Sequence, residues 1–497
     1  MNSEQAECGN LSRLLGQMGK DLDEYLRFDH PDAMANSSRW KAALGGALPQ
    51  HGVGAEQVVS EMGRYLIPNG SVIPKPGCTS FITTGATSIG ALTVLAGAVA
   101  APQRFGLTAF NYLEEISLEW MAELFGLRRT MKGVYSSGGS VANLIALGAA
   151  RQAAYVKLGI DVARDGAHRP SRIYASEESH HSIHRAAAVL GLGRSSVIAV
   201  GVDDDGRMCP VALKACLRKD IKNGLLPVAI VATVGNTNTG AIDPLRELGE
   251  IARQYKVWFH VDGAYGLPGI LDPEVKHLYD GLSLADSVIV DPHKWLGAPV
   301  GIGVTYVRDR SLLQNAFSQG PASYLEGAFI HGGIANSMDS FGIPYNEFGV
   351  ELSAPSRGAV VWALIKEVGG EGIRSRVCRH NMMAKTLAQK VREHPRLELV
   401  LAPTLSICCF RYVGSNSGDV NNLNRRIHEV LVKNGVNVPS TTLVGDRLVI
   451  RPCFIGARTE ERQVDGLFRE VVSIGDRLSS AKNCTEVNGE NRYGQEI

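Results

Sequence analysis

Between residues 133 and 308 the chain alternates short apolar runs with helical segments, and this alternation restricts the fold more than any other feature. Residues 133–136, 172–176, 197–201, 228–233, 258–262, 287–291 and 304–308 read as strands. Apolar strands separated by crossover helices form a mostly parallel sheet with helices on both faces, so the expected class is α/β. Ahead of the first strand, LEEISLEWMAELFGL (113–127) has the spacing of an amphipathic helix. Asp243-Pro244 is expected to cap a helix carrying Leu245, Leu248, Ile251 and Ala252. Near Pro355 the character changes. A long helix (357–368) leads into a smaller α+β unit with strands near 405–412 and 447–451. The expected units are a helical N-terminal segment (1–105), a large α/β domain (106–356), a small C-terminal α+β domain (357–478) and a tail (479–497). The tail lacks apolar periodicity and is expected to be disordered. Residues 1–27 read as a helical start, with Leu11, Leu15, Met18 and Leu22 on one face.

Composition removes several functions. A net charge of +1 gives no electrostatic basis for binding nucleic acid or an anionic membrane. Nine cysteines without CxxC spacing argue against both a disulfide framework and a zinc knuckle. The polar start MNSEQAECGN lacks the basic and apolar regions of a signal peptide, so a cytoplasmic location is expected. Residues 82–101 come nearest to a membrane span. They are rich in Gly, Thr and Ser, which favours buried small-residue packing.

The chemistry starts at SVIVDPHKWLGAPVGIG (287–303), where a buried apolar run ends in Asp291-Pro292-His293-Lys294. A lysine just beyond a buried strand needs a partner or a task; a lone one usually snorkels to water. Desolvation makes such an amine a nucleophile suited to a carbonyl cofactor. Upstream, Asp262 interrupts the apolar run VWFHVDGAYG (257–266), where a carboxylate needs a cation. A protonated pyridine nitrogen would serve. A Schiff-base lysine plus an acid on the pyridine nitrogen is the combination expected for pyridoxal 5'-phosphate. The two residues lie 32 positions apart, room for one crossover.

HVDGAYG followed by DPHKW resembles the group II pyridoxal-phosphate-dependent decarboxylases, the family of aromatic-amino-acid, glutamate and histidine decarboxylases. The resemblance covers roughly residues 60–475 through five ordered motifs. It implies the fold type I architecture of such enzymes, with Lys294 carrying the cofactor and Asp262 on its ring nitrogen. SSGGSVANLIALGAAR (136–151) places glycines and a hydroxyl at a helix N-terminus, where free N–H groups attract anions. An ordinary glycine turn would look the same; the resemblance assigns Gly139, Ser140 and His293 to the cofactor phosphate. Asp291 stands where the family often has asparagine. In ASEESHHSIHRAA (175–187) His180 matches the histidine that stacks on the pyridine ring, and Ala264 allows close approach to it. His181 and His184 read as structural. Helical spacing of these histidines would suit a metal, but no third ligand is evident, so none is expected. VATVGNTNTGAID (231–243) places Thr237 near the substrate, with Asn236 replacing a family threonine. GLGRSS (191–196) lacks the third glycine of a dinucleotide loop. AFSQGPASYLEG (316–327) resembles the catalytic loop and supplies Tyr324. SFIT (80–83) aligns with a substrate-pocket segment and retains Phe81 and Thr83, while Ser80 and Ile82 differ from the aromatic decarboxylases' tyrosine and proline.

The expected function is decarboxylation of a neutral, apolar or aromatic L-amino acid to the primary amine and CO2, by a homodimer. Lys294, Tyr324, His180 and Asp262 are the catalytic candidates. Two rivals are an aldehyde synthase, which decarboxylates and oxidatively deaminates, and a non-catalytic cofactor-binding protein. Family members with phenylalanine at the Tyr324 position tend towards aldehyde. Arg357 has no place from sequence.

Overall fold

The computed structural model describes residues 11–30, 33–35, 37–102, 104, 108–318, 343–414 and 419–487. Twelve strands are named in chain order: β1 (Cys78–Thr79), β2 (Lys132–Ser136), β3 (Ser171–Ser176), β4 (Val197–Val200), β5 (Leu226–Thr233), β6 (Trp258–Asp262), β7 (Ser287–Val290), β8 (Gly303–Val307), β9 (Leu397–Leu401), β10 (Cys409–Tyr412), β11 (Val438–Val444) and β12 (Arg447–Arg451). Seven of them form the central sheet in the order β2-β8-β7-β6-β5-β3-β4. Only β8 runs against its neighbours, so the sheet is mostly parallel. Its strands are apolar on both faces because helices cover both; Val288, Ile289 and Val290 are fully buried. The strand limits read from sequence hold to within a residue or two.

The helix Gly139–Val156 lies across the sheet, with Ala142, Ala146, Ala149 and Ala150 fully buried. Small side chains let its backbone approach closely, and Thr305 of β8 donates to the Ala142 carbonyl at 2.9 Å. The long helix Arg357–Glu393 breaks at Gly369 (φ 68°), where the sequence pattern stops at residue 368. It leads to the second sheet, ordered β1-β11-β12-β10-β9.

Four expectations need correction. First, β1 belongs to the expected N-terminal segment yet pairs in parallel with β11, so residues 78 and 79 form an edge of the C-terminal sheet. Second, Asp243 does not cap the helix Leu245–Tyr255, whose N-cap position is Pro244. Its buried carboxylate instead accepts from the N–H groups of Thr233 and Met208, both at 2.7 Å, and burial raises its pKa to about 6. Third, the last helix runs through Arg462–Val487, past the Ser479 at which disorder was expected. Fourth, residues 82–101 contain the helix Ser88–Ala100, which buries only Gly90 within this chain. No helix among the described residues is long and apolar enough to cross a membrane.

Gly358 marks the tightest crossing between the helices Ala109–Leu124 and Arg357–Glu393: an added methyl would overlap the Glu114 backbone. Backbone cannot yield as a side chain tip can. Gly358→Ala is expected to cost about 1–3 kcal/mol in denaturant unfolding. Gly201→Ala, with open space around it, is the control and should not destabilise.

Candidate active site

Five of the sheet's parallel strands end at one edge, and the loops beyond those ends line a cavity of about 420 Å³. Ligands of open α/β sheets gather at this carboxyl edge. Gly138, Gly139 and Ser140 follow β2, His180 follows β3, and Gly235 and Thr237 follow β5. Asp262 ends β6, with Ala264 just beyond it, and Asp291, His293 and Lys294 follow β7. The cavity thus brings together Gly139, Ser140, His180, Thr237, Asp262, Ala264, His293 and Lys294. Phe81 and Thr83 do not line it; Phe81 is 62 % exposed. Tyr324 lies outside the described residues.

Asp262 is buried, and each carboxylate oxygen has a donor. Asn143 Nδ2 donates to Oδ2 at 2.9 Å, and the Ala264 N–H donates to Oδ1 at 3.1 Å. Lys294 Nζ lies 3.0 Å from Asp291 Oδ2. The next residue, Trp295, anchors the lysine loop: it stacks on Tyr265 with ring centroids 5.2 Å apart and donates to His380 Nδ1 at 3.0 Å. Burial holds His380 neutral, with a pKa near 3, so it can accept that bond. Burial also lowers the pKa of His180. His293 Nδ1 bonds the Ile302 carbonyl at 2.6 Å, leaving Nε2 3.8 Å from Asp291. Thr237 sits in a tight turn closed by Asn236, whose Oδ1 accepts from the N–H groups of Thr239 (2.7 Å) and Gly240 (3.2 Å).

These groups suit pyridoxal phosphate. Gly138 adopts φ +126°, and Gly139 heads a helix whose first N–H groups have no intrahelical acceptor. A methyl at Gly139 would lie 2.6 Å from Asp291 Oδ2, so the carboxylate is wedged against the same helix end. Lys294 offers an amine, and Asp262 a carboxylate, to the same cavity. Sequence reasoning missed Asn143, Ser182 and His260. The alternation of β6 was the available signal, since it puts His260 on the same strand face as Asp262.

A mostly parallel sheet with a lysine and an acid at neighbouring strand ends fits a pyridoxal-phosphate enzyme. The chain belongs to the pyridoxal-dependent decarboxylase family, whose conserved domain matches residues 39–413. It is therefore a pyridoxal-phosphate-dependent carboxy-lyase. An aromatic-L-amino-acid decarboxylase of Bacillus atrophaeus is 30 % identical over 375 residues, 75 % of each chain. The 4-hydroxyphenylacetaldehyde synthase of Rhodiola rosea is 27 % identical over 446 residues, 87 % of each. Its crystal structure superposes with a TM-score of 0.84, covering 95 % of this chain and 99 % of that one. An L-2,4-diaminobutyrate decarboxylase of Rhizobium meliloti (strain 1021) is 29 % identical over 438 residues, 86 % of this chain and 83 % of the relative.

Asp291 is the one discordant group in this cradle. Its Oδ1 is buried without a hydrogen-bond partner among the described residues, and the carboxyl group sits against the helix end that would take an anion. Asp291→Asn removes the carboxylate and frees Lys294. Cofactor-free protein titrated with pyridoxal phosphate is expected to bind at least about tenfold tighter, roughly 1.4 kcal/mol. Weaker binding by the asparagine variant would show that Asp291 supports the cofactor.

Proposed function

We propose that this carboxy-lyase converts a neutral, apolar or aromatic L-amino acid to its primary amine and CO2, with Lys294 holding the cofactor. One observation carries the substrate class. Among the described residues no arginine lines the cavity, and two guanidiniums that bond to carbonyls of lining residues are committed. Arg451 donates to the carbonyls of Ser80, Thr237 and Asn238. Arg357 is paired through two nitrogens with Glu351, at 2.7 and 2.9 Å, and donates to the Gly301 carbonyl. A side-chain carboxylate on the substrate would find no free guanidinium there. Arg451 also ties the segment bearing Phe81 and Thr83 to the Thr237 turn, which supports their use in substrate binding.

Bound pyridoxal phosphate supplies the electron sink for whichever Cα bond breaks. The chain's residues choose that bond by orientation. In this reading Gly139, Ser140 and His293 hold the phosphate, and Asp262 keeps the ring nitrogen protonated. His180 covers the ring, Ala264 permits its close approach, and Thr237 orients the substrate carboxylate. Tyr324 delivers a proton to Cα, which commits the reaction to amine.

The aldehyde-synthase reading is supported by two relatives, the Rhodiola rosea synthase and a phenylacetaldehyde synthase of Arabidopsis thaliana, 26 % identical over 437 residues. Assay of CO2, amine and peroxide across phenylalanine, tyrosine, tryptophan, leucine, glutamate and 2,4-diaminobutyrate separates these readings. Amine and CO2 in equal amounts are expected, with kcat/KM at least about tenfold higher for an aromatic or apolar substrate than for glutamate. Peroxide matching CO2 would establish the synthase, and a preference for a charged substrate would refute the proposed class. Tyr324→Phe should slow amine release and raise peroxide.

The working unit is proposed to be a homodimer. The helix Leu11–Tyr25 buries none of its residues, and the uncharged helix Ser88–Ala100 leaves Leu92 60 % and Val99 62 % exposed. A helix apolar all round needs cover, and a second copy supplies it. Sedimentation of active holoenzyme should give a dimer. A fully active monomer would exclude it.

A further inference from the structure

Behind the cavity wall, a run of buried polar side chains leads from the start of β6 to Asp262. We propose that Trp258, Ser287, His260 and Asn143 are positioning residues. They form a hydrogen-bond chain of fixed direction that locks the Asp262 carboxylate and, through Ser182, sets His180 as the Nε2–H tautomer. The proposal rests on the reading above in one respect, that Asp262 faces the ring nitrogen.

The direction is set at the Asp262 end, and the Trp258 end is compatible with it. At one end an indole can only donate, and Trp258 Nε1 donates to Ser287 Oγ at 2.8 Å. At the other, a carboxylate can only accept, so Asn143 turns Nδ2 to Asp262 Oδ2 at 2.9 Å. Its Oδ1 then faces His260 Nε2 at 2.8 Å, and that nitrogen must carry a proton. Burial lowers the His260 pKa to about 4, so the ring is neutral and Nδ1 keeps its lone pair. The Ser287 hydroxyl, 2.8 Å away, donates to it and is thereby left to accept from the indole. The carboxylate end demands this arrangement, and the indole end accommodates it.

Asn143 is also a branch point. The second hydrogen of Nδ2 points to Ser182 Oγ at 3.0 Å. Ser182 Oγ lies 2.8 Å from His180 Nδ1, and the Ser182 backbone N–H also points at that nitrogen, at 3.3 Å. Nδ1 is therefore an acceptor, and the neutral His180 ring carries its proton on Nε2. One amide thus sets a hydrogen-bond donor on His180 and fills an oxygen of Asp262. Asn143, Ser182, His260 and Ser287 are all buried. Reversing any link would set two donors or two acceptors face to face, at a cost comparable to an unmade buried hydrogen bond.

Two measurements on the holoenzyme test this. Selective 15N-histidine NMR should show both His180 and His260 as neutral Nε2–H tautomers; an Nδ1–H form at either overturns the chain. His260→Phe deprives Asn143 Oδ1 of its donor and so loosens the amide that holds Asp262. It should shift the pH midpoint of the bound cofactor's visible absorption and lower kcat at least about tenfold, with little change in KM. His180, His181, Lys294 and Asp291 also face this region in both proteins, so only the difference between variants is diagnostic. His260→Gln, which keeps one donor and one acceptor, should restore kcat to within about threefold of wild type. Equal kcat and absorption for the two variants would reduce His260 to a packing residue and overturn the proposal. If His260→Phe does not fold, Trp258→Phe serves in its place, because it removes only the terminal donor. A wild-type absorption midpoint in that variant, combined with an Nδ1–H form of His260 in the wild type, would also overturn it. Failure of the functional reading looks different: Asp262→Asn would leave the absorption unchanged while both tautomers stayed as stated.

Discussion

The site depends on burying one carboxylate, Asp262, at the end of an apolar strand in the middle of a sheet. An ionised group in that position is tolerated only when hydrogen bonds replace the water it loses. Asn143 and the Ala264 N–H supply two of them, and the cavity side remains for a cationic partner. Parallel strand direction does the rest. Because β6 and β7 run the same way and pair with Asp262 opposite Ile289, the loop after β7 returns Lys294 to the same edge. A hairpin between these strands would have carried the lysine to the far end.

The helix Gly139–Val156 is the second element on which everything converges. Its alanines let it lie close to the sheet, its N-terminus opens on the cavity, and Asn143 lies one turn in. One rigid body therefore carries both the anion-binding end and the amide that positions Asp262. A shift of this helix would disturb both at once, which explains why it is packed on small, unyielding side chains.

The central strands were legible because parallel strands buried on both faces are nearly continuous apolar runs. Lys294 and Asp262 were legible for the same reason: each is a charge where the pattern demands none. Local rules failed where a distant group competed. Asp243 satisfies the rule for a helix cap, yet the N–H groups of Thr233 and Met208 claim it. The two-residue β1 is too short for any periodicity, and its partner β11 lies some 360 residues away. Asn143 and His260 are 117 positions apart, so nothing in either segment alone announces their bond. The chain beyond Ser479 lacks an apolar stripe yet continues the last helix to Val487, a case where propagation needs no periodicity.

Two carboxylates open on one cavity, and their surroundings divide the labour between them. Asp262 has a donor on each oxygen, one from a side chain and one from backbone, so it cannot turn without breaking both. Asp291 is bound on one oxygen by Lys294, and its second oxygen has no hydrogen-bond partner among the described residues. The first belongs to the frame; its partners are built in whether or not a ligand is present. The second holds Lys294 through one oxygen only, so this pairing is the contact of the two that a ligand can most readily displace. A fully satisfied acid beside a half-satisfied one leaves the site with one charge that stays still and one that can rearrange.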